Sequence, residues 1–146
     1  MKYLLIAIAI TAADQFTKRC AEHKFKDGNK AIIGKLCFCN VRNSGAAMGL
    51  LADKPHLLAV LTAGSTAQVL LNYYRIYNHG KLDGTYKLSL ACLLGGAAGN
   101  IIDRVRRGYV TDFIQIGKSP VFNIADIFIS LGVIIYMVKR IVGKSQ

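Results

Sequence analysis

What this sequence has little of is charge, and negative charge above all. Charged residues make up 18% of its 146 positions, with 8 Asp and Glu against 19 Lys and Arg, and there is no tryptophan. No internal repeat or low-complexity run is present, which excludes a solenoid or an array. A formal net charge of +11 would suggest nucleic acid in a soluble protein. Here the basic residues lie mostly between apolar blocks, and no aromatic-interleaved basic module accompanies them. Contact with anionic lipid headgroups accounts for the charge, and no nucleic-acid partner is expected. Ser65 has neither a G-x-S-x-G setting nor a well-placed histidine, so a serine peptidase is unsupported. The cysteines, Cys20, Cys37, Cys39 and Cys92, lack a standard zinc spacing. Free thiols are expected there, ahead of a disulfide or a metal site.

What the chain has instead is apolar residues, 53% of the total, gathered into blocks. Four blocks stand out, at about residues 3–20, 57–74, 86–102 and 121–138. Crossing a hydrocarbon core of about 30 Å takes about 20 helical residues at 1.5 Å each. The expected fold is an all-α membrane protein: one integral domain over residues 1–146 with four transmembrane helices. The opening residues could pass for a cleaved signal peptide, but the later blocks would hold the chain in the membrane by themselves. Lys18 and Arg19 would snorkel to the headgroups at the end of the first helix. Tyr73, Tyr74 and Tyr77 would form an aromatic belt. Gly95 and Gly99 form a small-xxx-small pair that permits close helix packing.

Residues 21–55 are too long for a simple connection. Ala31–Ile33 and residues 36–41 read as short strands around Gly34 and Lys35, a small β-platform on the membrane surface. Asn43 would point from it towards a site. Val110–Ile116 alternates roughly as a further surface strand, which would seat Asp112 near the helix ends.

The polar residues of residues 99–128 carry the chemistry. Asn100, Asp103 and Arg104 share one helix face by their i, i+3, i+4 spacing, and Asn123 and Asp126 repeat the i, i+3 interval. Ionisable groups at membrane depth cost about 2.5–3.5 kcal/mol each on insertion scales, so they are functional candidates. Asp14, in the first block, is a further such group. Two neighbouring carboxylates share a proton, and such a pair can activate water and protonate a leaving amine. Asp126 is one candidate, and spacing leaves Asp103 or Asp112 as its partner with a slight preference for Asp112. Asp103 could be tied up in an ion pair with Arg104. The cluster offers carboxylates and amides but no histidine, so no metal and no cofactor are expected.

Five segments, taken in order, resemble the motif regions of bacterial lipoprotein signal peptidase, signal peptidase II. They are Asp14-Gln15-Phe16-Thr17-Lys18, Arg42-Asn43-Ser44-Gly45-Ala46-Ala47, Gly99-Asn100-Ile101-Ile102-Asp103-Arg104, Val110-Thr111-Asp112-Phe113-Ile114 and Phe122-Asn123-Ile124-Ala125-Asp126. The resemblance implies an aspartic endopeptidase of the bacterial cytoplasmic membrane. Such enzymes remove signal peptides from diacylglyceryl-modified prolipoproteins immediately before the lipidated cysteine. It implies that Asp112 and Asp126 are the catalytic pair. Asp14, Asn43, Asn100, Asp103, Arg104 and Asn123 would support the site or contact substrate. It also implies lipidated prolipoprotein and membrane lipid as partners and inhibition by globomycin. A monomer is expected. The Cys37-x-Cys39 segment departs from the family's platform.

The resemblance places both termini in the cytoplasm and the site at the extracytoplasmic face. Charge argues the other way, because most of the 19 basic residues would then lie outside. The alternative reading is a small proton-coupled four-helix transporter. It has no need of Asn-x-x-Asp pairs bordering the third and fourth blocks.

Overall fold

A computed structural model of the chain describes residues 1–26, 30–45, 54–80 and 83–142. Ala46, Ala47 and Lys144 lie outside the described residues. Four helices carry most of the structure: α1 (Lys2–Lys24), α2 (Pro55–Asn78), α3 (Gly84–Arg107) and α4 (Ile124–Val142). Three strands accompany them: β1 (Ala31–Ile33), β2 (Leu36–Asn43) and β3 (Val110–Ile116).

α3 is the central element, and α1, α2 and α4 all pack on it. Its first turn is closed by Asp83, whose Oδ1 accepts from the backbone N–H groups of Thr85 and Tyr86 at 3.0 Å each. It stops at Gly108, whose φ of 76° is the left-handed cap that glycine adopts at least cost. Glycines on two faces let the backbones meet. A Cβ on Gly95 would lie 2.7 Å from the Ala7 carbonyl of α1, and one on Gly96 2.5 Å from the Ala125 carbonyl of α4. The Gly95 and Gly99 pair thus packs α3 on α1, and Gly96, outside that pair, packs it on α4.

At one end of the bundle Tyr73, Tyr86 and Tyr136 form a cluster with ring centroids 5.6–6.2 Å apart. The Tyr73 hydroxyl donates to Ser89 Oγ at 2.6 Å, and Ser89 Oγ donates to the Gly132 carbonyl at 2.6 Å. Tyr73 is only 3% exposed and belongs to this core, while Tyr74 and Tyr77 face outward. Tyr73 therefore does not join the expected three-tyrosine belt, since the helix turns it towards its neighbours.

Outward faces carry large apolar side chains on every helix: Leu4 and Ile8, Val60 and Leu71, Val105, and Ile134 and Met137 among them. One helix among the described residues, Gly84–Arg107, is long and apolar enough to cross a membrane by length and composition. α1, α2 and α3 have 23 or 24 residues each, about 35 Å of helix at 1.5 Å per residue.

The sheet is antiparallel in the order β1-β2-β3, and β3 comes from the connection between α3 and α4. The platform expected from residues 21–55 alone is therefore completed by a later strand. That pairing sets Val41 opposite Asp112 and Asn43 opposite Val110, with a register irregularity between Phe38 and Val41. It fastens the platform to the helix ends where the polar residues collect. All four cysteines are free thiols.

Candidate active site

The start of α4 builds the site. Asn123 accepts the backbone N–H of Asp126 on its side-chain Oδ1 at 3.0 Å, and Asp126 Oδ2 accepts the backbone N–H of Asn123 at 3.2 Å. This reciprocal pair is a capping box, which explains why the residues stand three apart. It also puts the Asp126 carboxylate at the positive end of the helix dipole. Asp14 Oδ1 takes the next free amide, the backbone N–H of Ala125, at 2.9 Å.

Asn123 then reaches across to the strand. Its Nδ2 donates to Asp112 Oδ1 at 2.7 Å, so one residue touches both Asp112 and Asp126. Asn43 holds the other oxygen of Asp112, with Nδ2 2.8 Å from Oδ2. The Asn43 amide is itself oriented by the Gly45 N–H, which donates to its Oδ1 at 3.0 Å. Asn100 completes the frame: its Nδ2 donates to Asp126 Oδ1 at 2.9 Å. Each carboxyl group thus accepts two hydrogen bonds from backbone or amide groups.

The two carboxyls differ in their surroundings. Asp112 is 3% exposed, whereas Asp126 is half-buried. Burial pushes the Asp112 carboxyl up to about 6, and the charge of Asp126 adds to the rise. The amide donors of Asn43 and Asn123 and the Lys18 ammonium oppose it without cancelling it. The pair therefore combines a carboxyl that holds its proton into mildly acidic pH with a more accessible one at a helix N-terminus.

Behind this pair lies a fully buried charge cluster. Lys18 is 0% exposed, with Nζ 2.7 Å from Asp14 Oδ2 and 2.8 Å from Asp103 Oδ2. Its expected escape to the headgroups does not occur, because one helical turn from Asp14 it meets two carboxylates in the bundle interior. Asp103 Oδ1 also receives Arg107 Nη2 at 2.6 Å and Gln15 Nε2 at 3.0 Å. Its ion partners are thus Lys18 and Arg107 rather than the adjacent Arg104, since residues one apart on a helix diverge and residues four apart align. Arg107 continues to Glu22, which also accepts from the Thr111 hydroxyl and ties α1 and α3 to β3. Gly99 makes the cluster possible, since a Cβ there would collide with the Asp14 carboxylate.

Arg104 stands apart. Among the described residues it makes no ion pair, and its buried Nε has no hydrogen-bond partner, although the charges of Asp126, Asp112 and Asp103 bear on it. Of the eight residues singled out in the sequence, Asn43, Asn100, Asp112, Asn123 and Asp126 are joined by direct hydrogen bonds, Asp14 and Asp103 meet at Lys18, and Arg104 lies beside them without a bond of either kind. Lys18, Gln15, Glu22, Arg107 and Thr111 belong to the same network and were not singled out. Spacing could have found two of them, because Lys18 and Arg107 stand four residues after Asp14 and Asp103. Among the described residues no group of three or more His, Cys, Asp and Glu side chains converges as a metal-ion cage.

Residues 6–142 match the family model described as signal peptidase (SPase) II. The chain belongs to the signal peptidase II family. A lipoprotein signal peptidase from Moorella thermoacetica is 41% identical over 92% of this chain and 89% of its own length. One from Caldanaerobacter subterraneus subsp. tengcongensis is 40% identical over 90% of each. A solved bacterial membrane enzyme superposes with a TM-score of 0.86 at 31% identity, covering 99% of this chain and 90% of that one. Signal peptidase II membership and these membrane-enzyme neighbours identify a membrane-embedded peptidase that processes lipoproteins. The transporter reading finds no support among them.

Proposed function

We propose that Asp112 and Asp126 are the hydrolytic pair of an aspartic endopeptidase. In this reading it cleaves diacylglyceryl-modified prolipoproteins immediately before the lipidated cysteine. The observation that carries it is the double contact of Asn123, which holds one oxygen of each carboxyl group. Asp103, by contrast, is occupied by Lys18, Arg107 and Gln15.

Asp126, the more accessible carboxylate, removes a proton from water as the oxygen attacks the scissile carbonyl. Asp112 carries a proton and hydrogen-bonds the carbonyl oxygen, stabilising the oxyanion as it forms. Collapse of the tetrahedral intermediate re-forms the carbonyl and breaks the C–N bond as Asp126 passes its proton to the leaving amine, while Asp112 keeps its own. Arg104, with an unpartnered donor beside the pair, is suited to a peptide carbonyl of the substrate. The groove of about 220 Å³ lined by Thr62, Ser65, Val69, Ala97 and Ile129 suits an acyl chain or an apolar signal segment. Ile129 stands one turn along α4 from Asp126, so an occupant there would approach the pair.

All four helices span the membrane in this reading. The outward apolar side chains of α1, α2 and α4 support it, because a water-exposed surface seldom carries so many. Both termini would face the cytoplasm and the platform the outside, with the protein acting as a monomer and globomycin as an inhibitor. The test is incubation of the purified protein with a lipidated prolipoprotein. The expected result is a size shift lost on adding globomycin, and an unshifted substrate would overturn the reading.

A further inference from the structure

Lys18 has three N–H donors and no acceptor. In this structure it has three acceptors around it: Asp14 Oδ2 at 2.7 Å, Asp103 Oδ2 at 2.8 Å and Asn100 Oδ1 at 2.9 Å. The third contact has a consequence for the amide of Asn100. An amide turned the other way would present NH2 to an ammonium group, donor against donor, in a site closed to water. The oxygen of Asn100 is therefore held inward, and its Nδ2 is held outward against Asp126 Oδ1 at 2.9 Å. Asn123 reinforces the same orientation by donating Nδ2 to Asn100 Oδ1 at 3.3 Å.

We propose that Lys18 is a positioning residue that acts through Asn100 to keep Asp126 an acceptor, and so makes Asp126 the base of the pair. The inference rests on the assignment of Asp112 and Asp126 above. The charged groups that bear on the pair are Arg104 from α3 and Lys18 from α1, with each carboxyl acting on the other. Asp14 and Asp103 reach it only through Lys18 and the helix cap.

Removing Lys18 frees the Asn100 amide to turn, so Asp126 loses a dependable donor. Lys18→Met should lower kcat about 10- to 100-fold with little change in KM, and move the acid limb of the kcat pH profile upward. Lys18→Gln keeps one donor able to reach Asn100, and should recover part of both effects; it also serves if the Met variant does not fold. Because Lys18 acts through Asn100, Lys18→Met placed on Asn100→Ala should cost little further kcat and leave the pH profile where Asn100→Ala put it. Lysine variants with the wild-type kcat per folded molecule and an unmoved acid limb would overturn the proposal, as would losses that multiply in the double variant. Asp112→Asn and Asp126→Asn run beside them separate the two claims. If either still cleaves at the wild-type rate, the dyad assignment fails. If both are dead while the lysine variants behave as wild type, only the role of Lys18 fails.

Discussion

Replacing Asp112 by asparagine should change the pH dependence of stability in a direction fixed by burial. The carboxyl titrates near 3.8 in the unfolded chain and near about 6 in the folded one. Between those values the folded state binds more protons than the unfolded state, so this group's contribution to stability falls as pH rises from about 4 through about 6. At about 1.4 kcal/mol for each tenfold change in the proton equilibrium, the loss totals about 3 kcal/mol. Asn at 112 does not titrate and escapes it. The variant leaves one of the Asn43 and Asn123 donors facing an NH2 group, which costs about 1–3 kcal/mol at every pH. The stability of Asp112→Asn relative to wild type should therefore climb by about 3 kcal/mol between pH 4 and pH 8. For a chain of this size that is a relative gain of about 6–12 °C in thermal midpoint. Midpoints measured in detergent micelles across that range test it. A gap between the two proteins that stays constant with pH would refute the claim that burial holds the Asp112 proton.

Asn123→Ala should lower turnover about 10- to 100-fold in a prolipoprotein cleavage assay while the protein still inserts, because the Asp112 carboxyl loses a donor and the Asp126 backbone N–H loses its side-chain cap; unchanged turnover would remove Asn123 from the site. Gly99→Ala forces a methyl group against the Asp14 carboxylate and should lower both thermal midpoint and activity; a variant as stable as wild type would contradict the packing of α1 on α3. Asp83→Ala removes the α3 cap and should cost about 0.5–2 kcal/mol with activity per folded molecule unchanged. For orientation, a cysteine placed at Lys30 on a thiol-free background should react with an impermeant reagent in intact cells, and one at Lys2 should not. The reverse pattern would invert the proposed topology.

The helices were legible because apolar blocks and turn residues mark them, β1 and β2 because they flank the turn at Gly34 and Lys35, and β3 because it alternates. What alternation could not supply was the partner of β3, since strand pairing between residues 36–43 and 110–116 is a long-range choice that no local pattern encodes. Asn100 with Asp103 and Asn123 with Asp126 were visible as i, i+3 pairs, and the structure shows that the second pair is a helix cap as well as part of the site. Lys18 was misplaced for a physical reason. A lysine near a helix end ordinarily reaches water, and only the meeting of Asp14 and Asp103 from two helices makes burial cheaper than escape. Taking away one partner of such a buried cluster costs about 3–5 kcal/mol. Tyr73 and Tyr74 are neighbours in sequence and opposites in environment, which helix phase decides and composition does not.

The central claim is that Asp112 and Asp126 perform the hydrolysis and Asp103 does not. Cleavage of a lipidated prolipoprotein by purified Asp112→Asn, Asp126→Asn and Asp103→Asn, each first shown to be folded, tests it directly. The first two should give no cleavage, because an amide can neither accept a proton from water nor share one, and Asp103→Asn should retain measurable activity. Cleavage near the wild-type rate by Asp112→Asn, with a folded but inactive Asp103→Asn, would contradict the claim and make Asp103 the partner of Asp126.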